Sequence, residues 1–273
     1  MKRIFWYVLL IFIIVVTITL VVIIDKKIDI KKNPIKDETK EKLELLNNID
    51  KKIDYFKYSY LDRYIDYKKK CQTLSDIDII TRVNLGLDQP FYQNTKQSTK
   101  LNQNTILVNK YIYLPEDYVP NKLTEISSDF SSSTKELTYE AKEAFEKMAT
   151  SAIEQGYTIR AISAYRSYEY QKNLYDNYVK QDGVELADTY SARPGFSEHQ
   201  TGLVVDIDNG KTDFNHFEST EEFKWMEENA QNYGFILRYP KGKEDITGYD
   251  YEAWHYRYVG ETIAKFIKNN NLT

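Results

Sequence analysis

The chain has 273 residues, 42% hydrophobic and 29% charged, with a net charge of −4. That length carries one substantial domain with appendages, and an acidic balance gives no reason to expect a nucleic-acid partner, which calls for a clustered basic face. A single cysteine, Cys71, excludes an intramolecular disulfide and a cysteine-rich metal site.

Residues 4–24 hold no charged side chain, with Lys2 and Arg3 before them and Asp25-Lys26-Lys27 after. At ~1.5 Å per residue, that stretch spans about 30 Å as a helix, the thickness of a bilayer's hydrocarbon core. No small-x-small cleavage site follows, so an uncleaved membrane anchor is expected. Flanking charge opposes an outward orientation, because Lys26, Lys27, Lys31 and Lys32 outnumber Lys2 and Arg3.

Residues 25–100 read as a charged helical stalk and linker. Leu46, Ile49, Ile53, Phe56, Tyr60 and Tyr67 recur at helical spacing, a stripe that suits a spacer helix and would also serve a short coiled-coil dimer. The globular domain is expected over residues 101–273. Short strands are predicted at 106–108 and 111–114, a helix at 138–155 and a strand at 157–164. A helix capped by Ser167 follows from 168 to about 181, stopping at Asp182-Gly183. Strands at 203–207, 235–238 and 254–259 and helices at 220–232 and 261–269 complete the pattern. Without regular βαβ alternation this is an α+β fold with a mainly antiparallel sheet flanked by helices.

Only three histidines exist, His199, His216 and His255. The stretches Ser197-Glu198-His199-Gln200-Thr201-Gly202-Leu203-Val204-Val205-Asp206 and Tyr251-Glu252-Ala253-Trp254-His255 gather two of them with an aspartate. Two imidazoles and a carboxylate suit zinc better than the oxygen-loving magnesium or calcium. Glu252 offers a carboxylate to take a proton from an attacking water. Parity sets conditions: on an uninterrupted strand His199 and Asp206 would face opposite sides. A turn must therefore carry His199, and a bend near Ala253 must separate Glu252 from His255. Asp208 and His216 read as loop residues, with a turn at Asp208-Asn209-Gly210.

Ser-x-His-x-x-Gly-x-x-x-Asp followed by Glu-x-Trp-His resembles the signature of VanY-type D-alanyl-D-alanine carboxypeptidases. These belong to a zinc metallopeptidase group that includes D-Ala-D-Ala dipeptidases and the hedgehog fold. Tyr165-Arg166-Ser167-x-x-x-x-Gln171, Pro194-Gly195-Phe196, 234–240 (Gly-Phe-Ile-Leu-Arg-Tyr-Pro) and Leu107-Val108-Asn109-Lys110 extend the likeness over roughly residues 101–270. The resemblance implies zinc on His199, Asp206 and His255, Glu252 as general base, and Arg166 holding the carbonyl or oxyanion. It also implies Gln171, Ser197 and Tyr239 as contacts to the peptide's end, and Trp254 as packing that orients His255. The implied activity is removal of terminal D-alanine from peptidoglycan stem peptides by a membrane-anchored enzyme facing outward. The alternatives are L,D-cleavage of tetrapeptides and a wall-binding or signalling module without catalysis. Ala253 replaces the family's usual proline, which leaves the bend less preorganised.

Overall fold

The structure, a computed structural model, describes residues 37–273. The expected anchor lies outside the described residues, and within them no helix is long and apolar enough to cross a membrane. The chain divides into two compact units, one ending at Asp88 and one running from Gln89 to Thr273.

In the first unit three helices close on a core of their own: α1 (Asp37–Leu45), α2 (Leu61–Lys70) and α3 (Asp76–Leu85). The single long stripe helix expected here does not form. Asn47 and Asn48 take left-handed φ values of 51° and 50°, which end α1 and turn the chain. Leu46 and Ile49, offered by the sequence as a dimer seam, are instead buried with Leu61, Tyr64, Ile79, Ile80 and Val83. Arg63 ties α2 to the chain beyond α3 through paired bonds to Asp88 at 2.7 and 2.6 Å.

The second unit is built on a four-stranded antiparallel sheet. Along the chain come β1 (Lys96–Gln97), β2 (Ile112–Tyr113), β3 (Leu123–Glu125), β4 (Glu136–Thr138), α4 (Tyr139–Glu154), β5 (Arg160–Ser163) and α5 (Tyr168–Tyr190). Then follow β6 (Val204–Asp208), α6 (Glu221–Asn229), β7 (Phe235–Leu237), β8 (His255–Tyr258) and α7 (Glu261–Asn269), with a single helical turn at Glu244–Thr247 before β8. The main sheet runs β5-β6-β8-β7, with β3-β4 an antiparallel pair and β1-β2 a parallel one. Ile106 and Val108 are buried but join no named strand, so the expected first strand is packed loop.

Two-residue alternation sorts the sheet's side chains. Val205, Ile207 and Tyr256 enter one core with Phe235 and with Phe145, Met148 and Ala152 of α4. Asp206 and His255, one residue out of phase with these, are direct cross-strand partners. The apolar face thus anchors the sheet while its opposite face carries the polar residues. Ser167 caps α5 by accepting from Tyr170 N at 3.2 Å, as its position predicts. The first helical stretch stops at Asp182-Gly183 as expected, where Gly183 takes the non-helical angles φ 80° and ψ 165°, and a second helical stretch follows it to Tyr190.

Candidate metal centre

His199 sits on a short 3-10 turn, Glu198–Thr201, that leads into β6. Gly202 ends the turn at φ 66°, and a Cβ there would meet Leu123 at 3.0 Å and Pro120 at 3.1 Å. Only glycine meets both demands, so this residue sets how His199 enters the cleft. The parity problem is solved here, and at a turn over residues 253–254 ahead of β8.

One ligand atom each from His199, Asp206 and His255 lies within 4.8 Å of the others, and all three residues are buried. His199 Nδ1 stands 2.6 Å from the carbonyl of Ala164. A carbonyl only accepts, so Nδ1 carries the proton and Nε2 presents its lone pair. That lone pair faces Asp206 Oδ2 at 3.3 Å, a pairing that repels unless a cation lies between. Asp206 Oδ1, 3.3 Å from His255 Nδ1, is buried without a hydrogen bond. Two imidazole nitrogens and an orphaned carboxylate oxygen fit a zinc ion.

The electrostatics agree. Burial, aided by the nearby Arg166 guanidinium, lowers His199 to about 4, so its imidazole is neutral at neutral pH. Burial would lower His255 too, but Asp206, Glu198 and Glu252 around it win and hold it well above the usual range. The pocket therefore stabilises positive charge at its centre. Glu252 Oε2 is 3.1 Å from His255 Nδ1, and burial raises its carboxyl above the usual range, toward what a base working near neutrality needs.

The other residues singled out in the sequence converge on the same cleft, of about 550 Å³, lined by Arg166, Gln171, Ser197, Tyr239, Glu252 and Trp254 among others. Arg166 bonds Asp206 Oδ2 through Nη2 at 2.7 Å and Ser163 Oγ through Nε at 3.0 Å. Gln171 is buried, donating to Ala192 O at 2.8 Å and accepting from Arg166 Nη1 at 3.5 Å. Ser197 caps the turn, accepting from His199 N at 3.3 Å. The Tyr239 ring packs on His255 with centroids 4.7 Å apart. Trp254 stacks edge-on with Phe214 at 4.9 Å. His216 is exposed, and Asp208 pairs with Arg160 at 3.1 Å, so neither joins the centre.

Glu198 is a member the sequence did not single out. It is only 3% exposed, takes Arg238 Nε at 2.9 Å and Arg257 Nη1 at 3.3 Å, and points Oε2 at His255 Nε2 from 3.7 Å. Burial would raise its carboxyl, but the two guanidiniums hold it far below the ordinary range. Neither Oε2 nor Nε2 has a hydrogen bond among the described residues. The signal available in sequence was an acid inside a buried motif, since carboxylates are almost never fully buried unless paired.

A family model described as VanY, D-alanyl-D-alanine carboxypeptidase, matches residues 134–261. A Bacillus subtilis protein named as a carboxypeptidase, YodJ, is 46% identical over 174 residues, covering 61% of this chain and 64% of that protein. The chain thus spans less than two thirds of that relative's length. Among solved structures, the LdcB LD-carboxypeptidase superposes with a TM-score of 0.63 at 42% identity, covering 66% of this chain and 88% of that one. A VanY D,D-pentapeptidase variant in complex with Zn(II) gives 0.53 at 33% identity, covering 61% and 94%.

Proposed function

We propose that this chain, which belongs to the VanY family of D-alanyl-D-alanine carboxypeptidases, is a zinc-dependent carboxypeptidase that releases terminal D-alanine from peptidoglycan stem peptides. The observation that carries the reading is one buried cluster, His199, Asp206 and His255, with Glu252 beside it, lining a cleft of about 550 Å³. Those three residues would hold the ion. Zinc bound there supplies Lewis acidity toward water and a peptide carbonyl.

The chain's own residues do the rest. Glu252 takes the proton of the attacking water and returns it to the departing D-alanine amine, a role its raised carboxyl suits. Arg166 stabilises negative charge developing on the scissile carbonyl, where a fixed cation in a cleft counts most. Gln171 and Ser197 shape the pocket that receives the peptide's end, and Tyr239 closes it against His255. Retention of both Glu252 and Arg166 at the centre speaks against a non-catalytic wall-binding module.

Two substrates fit this machinery. D,D-cleavage of pentapeptides is supported by the family description and the VanY D,D-pentapeptidase. L,D-cleavage of tetrapeptides is supported by the larger likeness to LdcB, 42% identity against 33% and a TM-score of 0.63 against 0.53. The uncharged residues 4–24 support membrane attachment, with the cleft outside the membrane, where wall peptides lie.

The test is D-alanine release by the full chain from synthetic tetrapeptide and pentapeptide stems, read by mass, with and without a zinc chelator. Loss of one D-alanine, abolished by the chelator and restored by zinc, is expected. Neither peptide shortening while zinc is bound would overturn the assignment.

A further inference from the structure

Lys110 is a buried cation of the second unit. It is 3% exposed and lies outside the metal cluster. Its ammonium donates to two backbone carbonyls, those of Asp188 at 2.6 Å and of Gly248. Aromatic rings surround it: Tyr249 at 4.3 Å and Phe91 at 4.7 Å from ring centre to nitrogen, with Tyr92 farther out at 5.7 Å. Such faces stabilise a cation.

What the two carbonyls belong to gives the arrangement meaning. Asp188 lies near the end of α5, just before Tyr190, Ser191 and Ala192 of the cleft wall. Gly248 precedes Tyr249, Asp250, Tyr251 and Glu252, which line the same cleft. A second tie runs parallel: Asp250 N donates to Thr189 O, and Thr189 Oγ1 to Asp250 Oδ2, both at 2.8 Å. The fit at Gly248 is tight, since a Cβ there would stand 2.7 Å from the Phe91 ring and 3.0 Å from Lys110 Cδ. From Tyr249 a run of mutually tilted rings continues, to Tyr239 at 5.1 Å and from Tyr239 to His255 at 4.7 Å.

We propose that Lys110 is a positioning residue for peptide binding: it clamps the 188–192 and 248–252 segments together and thereby sets the shape of the cleft that receives the stem peptide. The inference rests on the proposed carboxypeptidase reading for its substrate, whereas the clamp itself rests on geometry alone. An ammonium suits the task because it reaches two carbonyls from one atom, and no apolar side chain of like length replaces either bond.

The test uses the full chain with Lys110→Met and, as a milder change that keeps a donor, Lys110→Gln. Steady-state D-alanine release is measured, together with zinc affinity by chelator competition and amide hydrogen exchange. Lys110→Met is expected to raise KM about tenfold while kcat changes less than about threefold, the signature of lost uniform binding. Zinc affinity should stay at the wild-type value, and exchange should rise in 188–192 and 248–252 together. Unchanged KM and exchange would overturn the proposal. So would loss of zinc, a fall in kcat without a rise in KM, or exchange raised throughout the unit. If Lys110→Met does not fold, Lys110→Gln is read by the same criteria; failure of both to fold assigns Lys110 to general stability and overturns the clamp. A wild type that releases no D-alanine defeats the carboxypeptidase reading, while hydrogen exchange still decides the clamp.

Discussion

Glu252 and Glu198 flank His255 from opposite sides, one at Nδ1 and one at Nε2, and their replacement should separate two roles. Glu252→Gln keeps shape and removes basicity. Zinc content should remain at the wild-type level while kcat falls by about 10²–10⁴, the usual share of a general base. Comparable turnover in variant and wild type would remove Glu252 from that role. Glu198→Gln should act through support instead. It leaves Arg238 and Arg257 buried without their shared carboxylate, a loss of about 3–5 kcal/mol, visible as a lower thermal midpoint. It also takes the facing acceptor from His255, which should weaken zinc by about 10–100-fold in a chelator competition. Wild-type zinc affinity in this variant would count Glu198 out of the metal's support. The candidate ligands were legible in sequence because two histidines and an aspartate make a donor set that suits zinc and stand in a pattern that resembles the VanY-type signature. Glu198 was not, since pairing with arginines 40 and 59 residues away is a fact of folding and leaves no local mark.

At the scale of elements, what sequence periodicity dictates and what tertiary context overrides are easily told apart. The helix expected at 138–155 forms as Tyr139–Glu154, and that at 261–269 forms as Glu261–Asn269, because each carries a sustained apolar face. The strands near the metal also form where alternation placed them, and the bends that parity demanded appear at 198–202 and 253–254. One segment went otherwise. Gly183 ends the first helix as expected, but periodicity does not announce the helical stretch that follows it to Tyr190; that stretch buries Ala187 and presents Asp188 to Arg193 and Tyr175. Burial would raise the Asp188 carboxyl, but paired bonds from Arg193 at 3.0 and 2.7 Å and one from Tyr175 at 2.7 Å hold it below its usual 3.8. A depressed carboxylate adds stability above its unfolded value, and that stability is lost as pH falls through the lower folded value. Thermal unfolding of the full chain should therefore show an acid-side decline below about pH 4 that is shallower in Asp188→Asn. The same slope in both would mean that this carboxylate is not linked to folding.

Across the whole molecule, the described chain is divided between two cores, and the smaller was the less legible. Residues 25–100 read as a charged helical stalk and linker because charge dominates them, while the apolar residues keep helical spacing across breaks at Asn47 and Asn48 that sequence does not announce. Spacing alone does not say whether a stripe meets another chain or folds back on itself. Here it folds back. Tyr64 is the test of that closure: fully buried, its hydroxyl donates to Asn84 Oδ1 at 2.8 Å and accepts from Lys57 N at 3.2 Å. Truncation to alanine removes a large core side chain at about 3–5 kcal/mol. A unit of this size has little more than that in reserve. Tyr64→Ala should therefore expose residues 37–88 to proteolysis and hydrogen exchange under native conditions. The metal centre draws every ligand from 199–255, so zinc affinity and D-alanine release should stay at wild-type values. Loss of both with the helical core would show that the centre depends on that core, and the two units would then have to be treated as a single folding body.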